Sequence, residues 1–129
     1  MRADLRSTNL NGADLRYANI RSANLSGANL SEANLSGVGL RYANLSYANL
    51  NVANLSYANL SLADFNFTDL NRVNLCSTVL SGARGLMPEQ LICTHNLESA
   101  NLDDGLRHAI AQQFDCYSAS SKALTENHE

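Results

Sequence analysis

A large apolar side chain recurs at every fifth position of this chain from Leu5 to Leu80. The residue is leucine at fourteen of these sixteen positions, with Ile20 and Phe65 at the other two. Two residues before each of them the side chain is small, usually alanine, and the residue between is Asn or Asp at fourteen of sixteen places. The sequence is therefore an internal repeat with the unit Ala-Asn/Asp-Leu-x-x, and such a repeat constrains the fold more than any other feature.

A period of five residues fits neither a single α-helix nor a flat β-strand. On an α-helix, steps of five rotate by about 140°, so the leucines would spiral around every face. On a flat strand, steps of five alternate between faces, so half of the leucines would meet water. A short extended segment followed by a turn returns each leucine to the same inward direction. We therefore predict an almost helix-free column over residues 3–84, with the leucines and alanines inside and the other three residues of each unit outside.

The run ADLRYANIRSANLSGANLSEANL, which begins at Ala13, resembles the repeats of pentapeptide repeat proteins, and the resemblance covers residues 3–84. The chain is similar in particular to short members of this family from cyanobacteria. The resemblance implies an all-β solenoid, a right-handed quadrilateral β-helix in which four pentapeptides form one coil. It implies about four coils, stacked about 4.8 Å apart, with residues such as Tyr47 and Phe67 adjacent on neighbouring coils.

The repeat fails after Arg84, because Gly85 takes the next leucine position. Pro88 is placed to begin a short helix, and Asp103-Asp104 offers an N-cap to a later one. That later helix carries apolar residues on one face, namely Leu106, Ile110 and Phe114. Between the two helices the motif returns out of phase, as a partial extra side, in the segment Ala100-Asn101-Leu102.

These features divide the chain into three parts. Residues 1–84 form the β-helix, residues 85–116 form a C-terminal capping segment with short helices, and residues 117–129 are predicted to be disordered because they are Ser-rich and charged. No comparable cover precedes the first coil. Three explanations for this uncovered coil are open. The chain was cut from something longer, the first coil associates end to end with another molecule, or the charges of Arg2 and Arg6 prevent pairing at the exposed edge.

The carboxylates of the column stand at the Asn/Asp position of the repeat, where a short polar side chain supports a turn: Asp4, Asp14, Asp64 and Asp69. We therefore predict a structural role for them and no acid/base site. The spacing of the Cys and His residues of the C-terminal part matches no standard zinc site: Cys93, His95, His108 and Cys116. Three cysteines without tight spacing indicate free thiols in a reducing compartment, and Cys76 is predicted to be exposed.

One outward register carries a girdle of apolar and aromatic side chains: Tyr42, Tyr47, Val52, Tyr57, Leu62 and Phe67. Such a girdle is a candidate protein-contact surface. The alternative is that these side chains stack along the column and brace adjacent coils, as cross-strand pairs do. Both interpretations are open. Four arginines lie toward the other end of the column: Arg6, Arg16, Arg21 and Arg41. Charged side chains are common on a solvated surface, so their presence there needs no functional role.

No Gly-rich phosphate loop, nucleophile elbow or catalytic dyad is present in the sequence. We therefore predict a non-enzymatic structural or protein-interaction module with no cofactor and no bound metal. The expected partner is an unidentified protein, and neither nucleic acid nor membrane is expected. With no signal peptide and no membrane-spanning apolar run, we expect a cytoplasmic protein.

The resemblance also implies an alternative, a DNA mimic that binds DNA gyrase, as quinolone-resistance relatives do with a strongly acidic rod. Residues 1–84 contain seven Arg and five Asp or Glu, a net charge of +2. The acidic residues are concentrated in residues 85–129, with seven acidic against two basic residues. The charge of the column therefore speaks against the gyrase alternative.

Overall fold

Each five-residue unit forms one short extended segment and one tight turn in the computed structural model, which describes residues 2–112. In the unit that starts at Ala23, the Leu25 carbonyl oxygen accepts a hydrogen bond from the Ala28 N–H at 3.0 Å, which closes a β-turn. The second central residue of the turn has a positive φ in every unit from Ser7 to Gly82. A positive φ at this position defines a type II turn.

The units stack in register with those twenty residues further along the chain. Parallel β-bridges of a single residue pair run up each side of the column, for example from Asn29 to Asn49 and from Asn49 to Asp69. Four units therefore complete one turn of the coil. Hydrogen bonds between coils flank each bridge. Around the pair Asn29–Asn49, Leu30 N–H donates to the Asn49 carbonyl and Asn49 N–H donates to the Ala28 carbonyl.

The interior of the column contains the large apolar residues and the alanines, as predicted. Leu25, Leu45 and Phe65 lie one above another and have no exposed surface. No helix interrupts the column between residues 3 and 84, which confirms the prediction of a helix-free column. The four large residues of the first coil, predicted to be buried, are only half-buried: Leu5, Leu10, Leu15 and Ile20. No described residue packs on the open side of that coil.

Pairing with the column continues beyond the end of the five-residue period. Asp64 pairs with Arg84, Asn74 with His95, and Val79 with Asn101. The separation between partners grows from twenty to twenty-one and then to twenty-two residues, because the chain after Arg84 contains insertions. Residues around Asn101 therefore form the extra side that the out-of-phase motif predicted. The change at residue 84 ends the period but not the stacking.

The helices of the described chain all follow the column. Helix α1 spans Pro88–Leu91 and begins at the predicted proline. A 3₁₀ helix spans Leu97–Ser99, and residues 104–112 are α-helical. On this last helix Ile110 is buried and Leu106 is half-buried, as their spacing predicted. Phe114, the remainder of the predicted cap (residues 113–116) and the predicted disordered tail (residues 117–129) lie outside the described residues.

Side chains of the C-terminal segment replace backbone partners that a further regular coil would supply. The Ser99 hydroxyl accepts the Ser77 N–H at 3.0 Å, and the Asp103 carboxylate accepts the Gly82 N–H at 3.0 and 3.1 Å. The Gln90 amide donates to the carbonyls of Phe65 and Thr68 at 3.1 Å. The Asp103 side chain, which the sequence predicted as a helix cap, therefore binds the last corner of the column instead. Buried or edge backbone groups need such partners.

Candidate protein-contact surface

All six predicted surface residues occupy the second central position of a turn, at the corners of the coil. Their φ angles lie between 59° and 66°: Tyr42, Tyr47, Val52, Tyr57, Leu62 and Phe67. Residues other than glycine rarely adopt this left-handed conformation, and β-branched residues such as Val52 adopt it least readily. The sequence pattern showed that these positions face outward, but it did not reveal their strained backbone conformation.

The girdle encircles the column and does not form one continuous patch. Successive units turn at successive corners, so among the six girdle residues only those twenty apart share a corner. The structure therefore brings Tyr47 and Phe67 together at one corner and Tyr42 and Leu62 at another. Val52 and Tyr57 occupy the remaining two corners separately. A partner with a flat surface can contact one corner or two adjacent corners, but not the whole girdle.

Among the described residues, the corner of Tyr47 and Phe67 carries the largest number of exposed large apolar side chains. The two rings stack with centroids 5.0 Å apart and planes inclined by 19°, which confirms the predicted contact. Their side chains nevertheless remain 67% and 73% exposed. Beyond Phe67, Met87 is 56% exposed and lines one concavity together with Phe67 and Gln90. We call Tyr47, Phe67 and Met87 the apolar strip.

Met87 was not among the residues predicted for this surface. The signal was present, because Met87 follows Phe67 by the same twenty residues that separate Phe67 from Tyr47. It was missed because the five-residue pattern ends before Met87.

The other members of the girdle have different surroundings. Leu62 is half-buried and packs over Gly82, where a β-carbon would lie 2.7 Å from Leu62 Cδ2. Tyr42 lies beside two guanidinium groups, those of Arg21 and Arg41, at 5.3 and 5.1 Å from its ring centroid. The girdle therefore combines members that pack against neighbouring side chains with members that are largely exposed.

The carboxylates of the column support turns, as the sequence predicted. Asp64 and Asp69 each accept the backbone N–H two residues on, at 2.9 and 3.0 Å. Asp4 does the same and also receives both arms of the Arg6 side chain at 2.8 Å. These hydrogen bonds hold the pKa of Asp4 at about 2. A carboxylate that stays ionised in this way is unsuited to general-acid catalysis at neutral pH.

The Asp14 carboxylate is bound by Arg16 through the same fork, with contacts of 2.8 and 2.9 Å. These hydrogen bonds lower the pKa of Asp14. Both of these carboxylates are therefore structural acceptors at the open edge.

No group of three or more His, Cys, Asp and Glu side chains within residues 2–112 is arranged to hold a metal ion. Cys93 and His95 are exposed, and Cys116 lies outside the described residues. Cys76, predicted to be exposed, is half-buried because the next layer of chain continues past it. None of the helices in the described part of the chain is both long enough and apolar enough to span a bilayer.

Comparison with protein families relates the chain to the family described as Pentapeptide repeats. Its matches, in eight copies, cover residues 1–37, 33–66 and 58–84. No curated protein matches the chain. Among solved structures, the chain is similar to a pentapeptide repeat protein from the Arabidopsis thaliana thylakoid lumen. The identity is 28% and the TM-score 0.65, over 77% of this chain and 66% of that one.

Two further structures have lower TM-scores. HetL, a pentapeptide repeat protein involved in heterocyst differentiation regulation from the cyanobacterium Nostoc sp. strain PCC 7120, is 29% identical with a TM-score of 0.46. The match covers 77% of this chain and 46% of HetL. QnrB1, a plasmid-mediated fluoroquinolone resistance protein, is 19% identical with a TM-score of 0.48, over 87% and 63% of the two chains. The chain thus spans just under two thirds of the Arabidopsis protein and less than half of HetL.

Proposed function

Because this chain belongs to the pentapeptide repeat family, we propose that it is a non-enzymatic structural module that binds another protein through the corners of its column. Members of the family form right-handed quadrilateral β-helices and generally serve as structural or interaction modules. The observation that carries the proposal is the exposure of large apolar side chains at the corners, above all along the apolar strip of Tyr47, Phe67 and Met87.

Backbone conformation supports this proposal. Glycine would occupy a left-handed turn position with less strain, and the chain uses it at several corners, such as Gly27 and Gly37. A bulky residue there costs about 1 kcal/mol relative to glycine. Stacking on Phe67 offsets part of that cost for Tyr47, since cross-strand pairs contribute about 0.2–1 kcal/mol of stability. Among the described aromatic contacts, none offsets this cost for Tyr57. A contact with a partner would explain why a bulky side chain is kept at that position.

Replacing Tyr47 and Tyr57 together by serine tests the proposal. Serine already occupies the same turn position at Ser22 and Ser77, so the backbone can accept it. We expect loss of partner capture by the tagged protein from extracts of its source organism, with a stability change of about 1 kcal/mol or less. The measurements are capture followed by mass spectrometry and thermal melting of the same preparations.

Tyr17→Ser is the matched control, because Tyr17 has the same turn position and is 78% exposed but lies in the first coil, outside the girdle. It should leave capture unchanged. A large drop in melting temperature of the double variant with unchanged capture would contradict the interface and favour the bracing role for both tyrosines.

The gyrase alternative makes a separate prediction. A column with net charge +2 over residues 1–84 lacks the acidic surface that a DNA mimic needs. We expect no inhibition of DNA supercoiling by gyrase at micromolar protein, measured on relaxed plasmid. Inhibition at that concentration, or co-elution with gyrase, would favour the alternative over the proposed module.

We also propose that residues 1–84 form about four coils and that residues 85–116 cap the last of them. We likewise propose a cytoplasmic location and end-to-end association through the first coil. The backbone carbonyls of Asn9 and Asn19 accept no hydrogen bond from the described residues, which leaves pairing capacity on two sides. The ion pairs Asp4–Arg6 and Asp14–Arg16 lie on the other two sides, where charge opposes edge pairing.

A further inference from the structure

Three arginines, Arg2, Arg21 and Arg41, share one corner near the open end of the column. The twenty-residue stacking places Arg2 above Ser22 and Arg21 above Arg41, at neighbouring positions of the same corner. Ser22 is followed one coil below by Tyr42. This corner is distinct from that of the apolar strip, and its chemistry is cationic and polar instead of apolar.

Tyr42 orients two of these cations. The guanidinium carbons of Arg21 and Arg41 lie 5.3 and 5.1 Å from the centre of its ring. Contacts in this range are attractive, because the ring face carries negative charge. Both guanidinium groups are therefore held beside one side chain, although like charges at close range repel each other.

Two concavities of the surface adjoin this corner. One lies on the side that runs from Asp4 to Arg84 and is lined by Arg2, Ser22 and Tyr42 among others. The second is lined by four residues: Arg2, Asn19, Arg21 and Ser22. Arg2 and Ser22 line both. A ligand at the corner would thus meet guanidinium groups, a hydroxyl and an amide from two coils.

Carboxylates do not neutralise these arginines within the part of the chain that the structure describes. The ion pairs there involve Arg6 and Arg16, and not the three arginines of the corner. Two acidic residues line the first concavity. Of these, Asp4 is held by both arms of Arg6, and Asp64 accepts the backbone and side-chain N–H groups of Asn66.

We propose that Arg2, Arg21 and Ser22, which line the second concavity, bind a phosphate-type oxyanion, either free phosphate or a phosphate monoester. Arg41, which lies beside Arg21 on the Tyr42 ring, adds positive charge near the bound anion. One arginine fork satisfies the two oxygens of a carboxylate, whereas two guanidinium groups and a hydroxyl need more acceptor oxygens. A tetrahedral dianion supplies them and relieves the repulsion between the cations. The site is independent of whether the apolar strip binds a partner.

Titration of the full chain followed by ¹H–¹⁵N NMR tests this site. At constant ionic strength, sodium phosphate should produce saturable shifts of the Arg21, Ser22 and Tyr42 amides, with a dissociation constant on the order of 1 mM. A parallel titration with O-phosphoserine distinguishes a free ion from an ester group, and saturable binding of either supports the site. Sodium acetate and sodium chloride at the same ionic strength should give only small shifts without saturation.

Arg21→Gln should weaken binding about tenfold, since it removes a charge-assisted contact. Arg41→Gln should weaken binding less, since it removes only a nearby positive charge. Arg72→Gln is the matched control, because Arg72 is exposed on a different corner of a lower coil and should leave the affinity unchanged. Arg2→Gln changes a residue outside the buried interior of the column. Its effect on phosphate binding can therefore be measured even if a change at Arg21 disturbs folding. Equal saturation by acetate, or equal weakening by Arg72→Gln, would overturn the proposal.

Discussion

Leu45→Asp is expected to unfold the repeat column cooperatively. Leu45 has no exposed surface and lies between Leu25 and Phe65 of the neighbouring coils. An ionised or unpaired carboxyl in this interior costs about 3–5 kcal/mol or more. Small domains are stable by only about 5–15 kcal/mol, and each coil depends on its neighbours, so the loss at one level spreads through the column.

Leu62→Asp is the matched control for this substitution. Leu62 is the one leucine before residue 80 that departs from the five-residue phase, and it is half-buried at a corner. Aspartate tolerates the left-handed conformation there, so we expect a loss of about 1 kcal/mol or less. Circular dichroism during thermal melting measures both variants. Similar melting temperatures for the two would contradict the inward direction of Leu45.

The second large effect is expected at Gly85, where the five-residue pattern ends. Its φ is +79°, and a β-carbon there would lie 2.7 Å from the Asn66 backbone nitrogen and 2.6 Å from the Asn66 Cγ. Gly85→Ala therefore combines a left-handed backbone with a clash against the coil above. We expect a loss of about 2–4 kcal/mol, measured by urea denaturation.

Substitutions at two other glycines distinguish the effect of the left-handed backbone from the effect of the clash. Gly12 has a φ of +69° but open space around it, and Gly105 has open space without a left-handed backbone. Gly12→Ala should cost about 1 kcal/mol from backbone strain alone. Gly105→Ala lies in the helical stretch of residues 104–112 and should be neutral or stabilising by up to about 1 kcal/mol. If Gly85→Ala proved no worse than Gly12→Ala, the close packing on Asn66 would be refuted.

The sequence alone determined which side chains face inward. A five-residue period leaves one inward direction for leucine and alanine, and the buried Leu45 and Ala43 follow it. It also predicted the turn role of Asp64, because a short polar side chain can bind the backbone two residues on. The contact of Tyr47 with Phe67 depended on the resemblance, which supplied the number of units in a coil.

Only the tertiary structure decided which outward residues meet. The sequence shows Tyr42, Tyr47 and Tyr57 in one register, but the twenty-residue spacing of the bridges distributes them over different corners. That spacing comes from hydrogen bonds between coils, which no local propensity encodes. The same geometry gathers Arg2, Arg21 and Ser22 at one corner, although they are distributed over two coils.

The end of the column depended on the tertiary structure for a related reason. There the partners lie twenty-one and twenty-two residues apart, so the repeat no longer predicts them. Backbone N–H groups such as that of Gly82 still need acceptors, and the Asp103 carboxylate provides one. Local sequence indicated a helix cap at Asp103, but the unsatisfied donor of a coil twenty-one residues earlier bound its side chain instead.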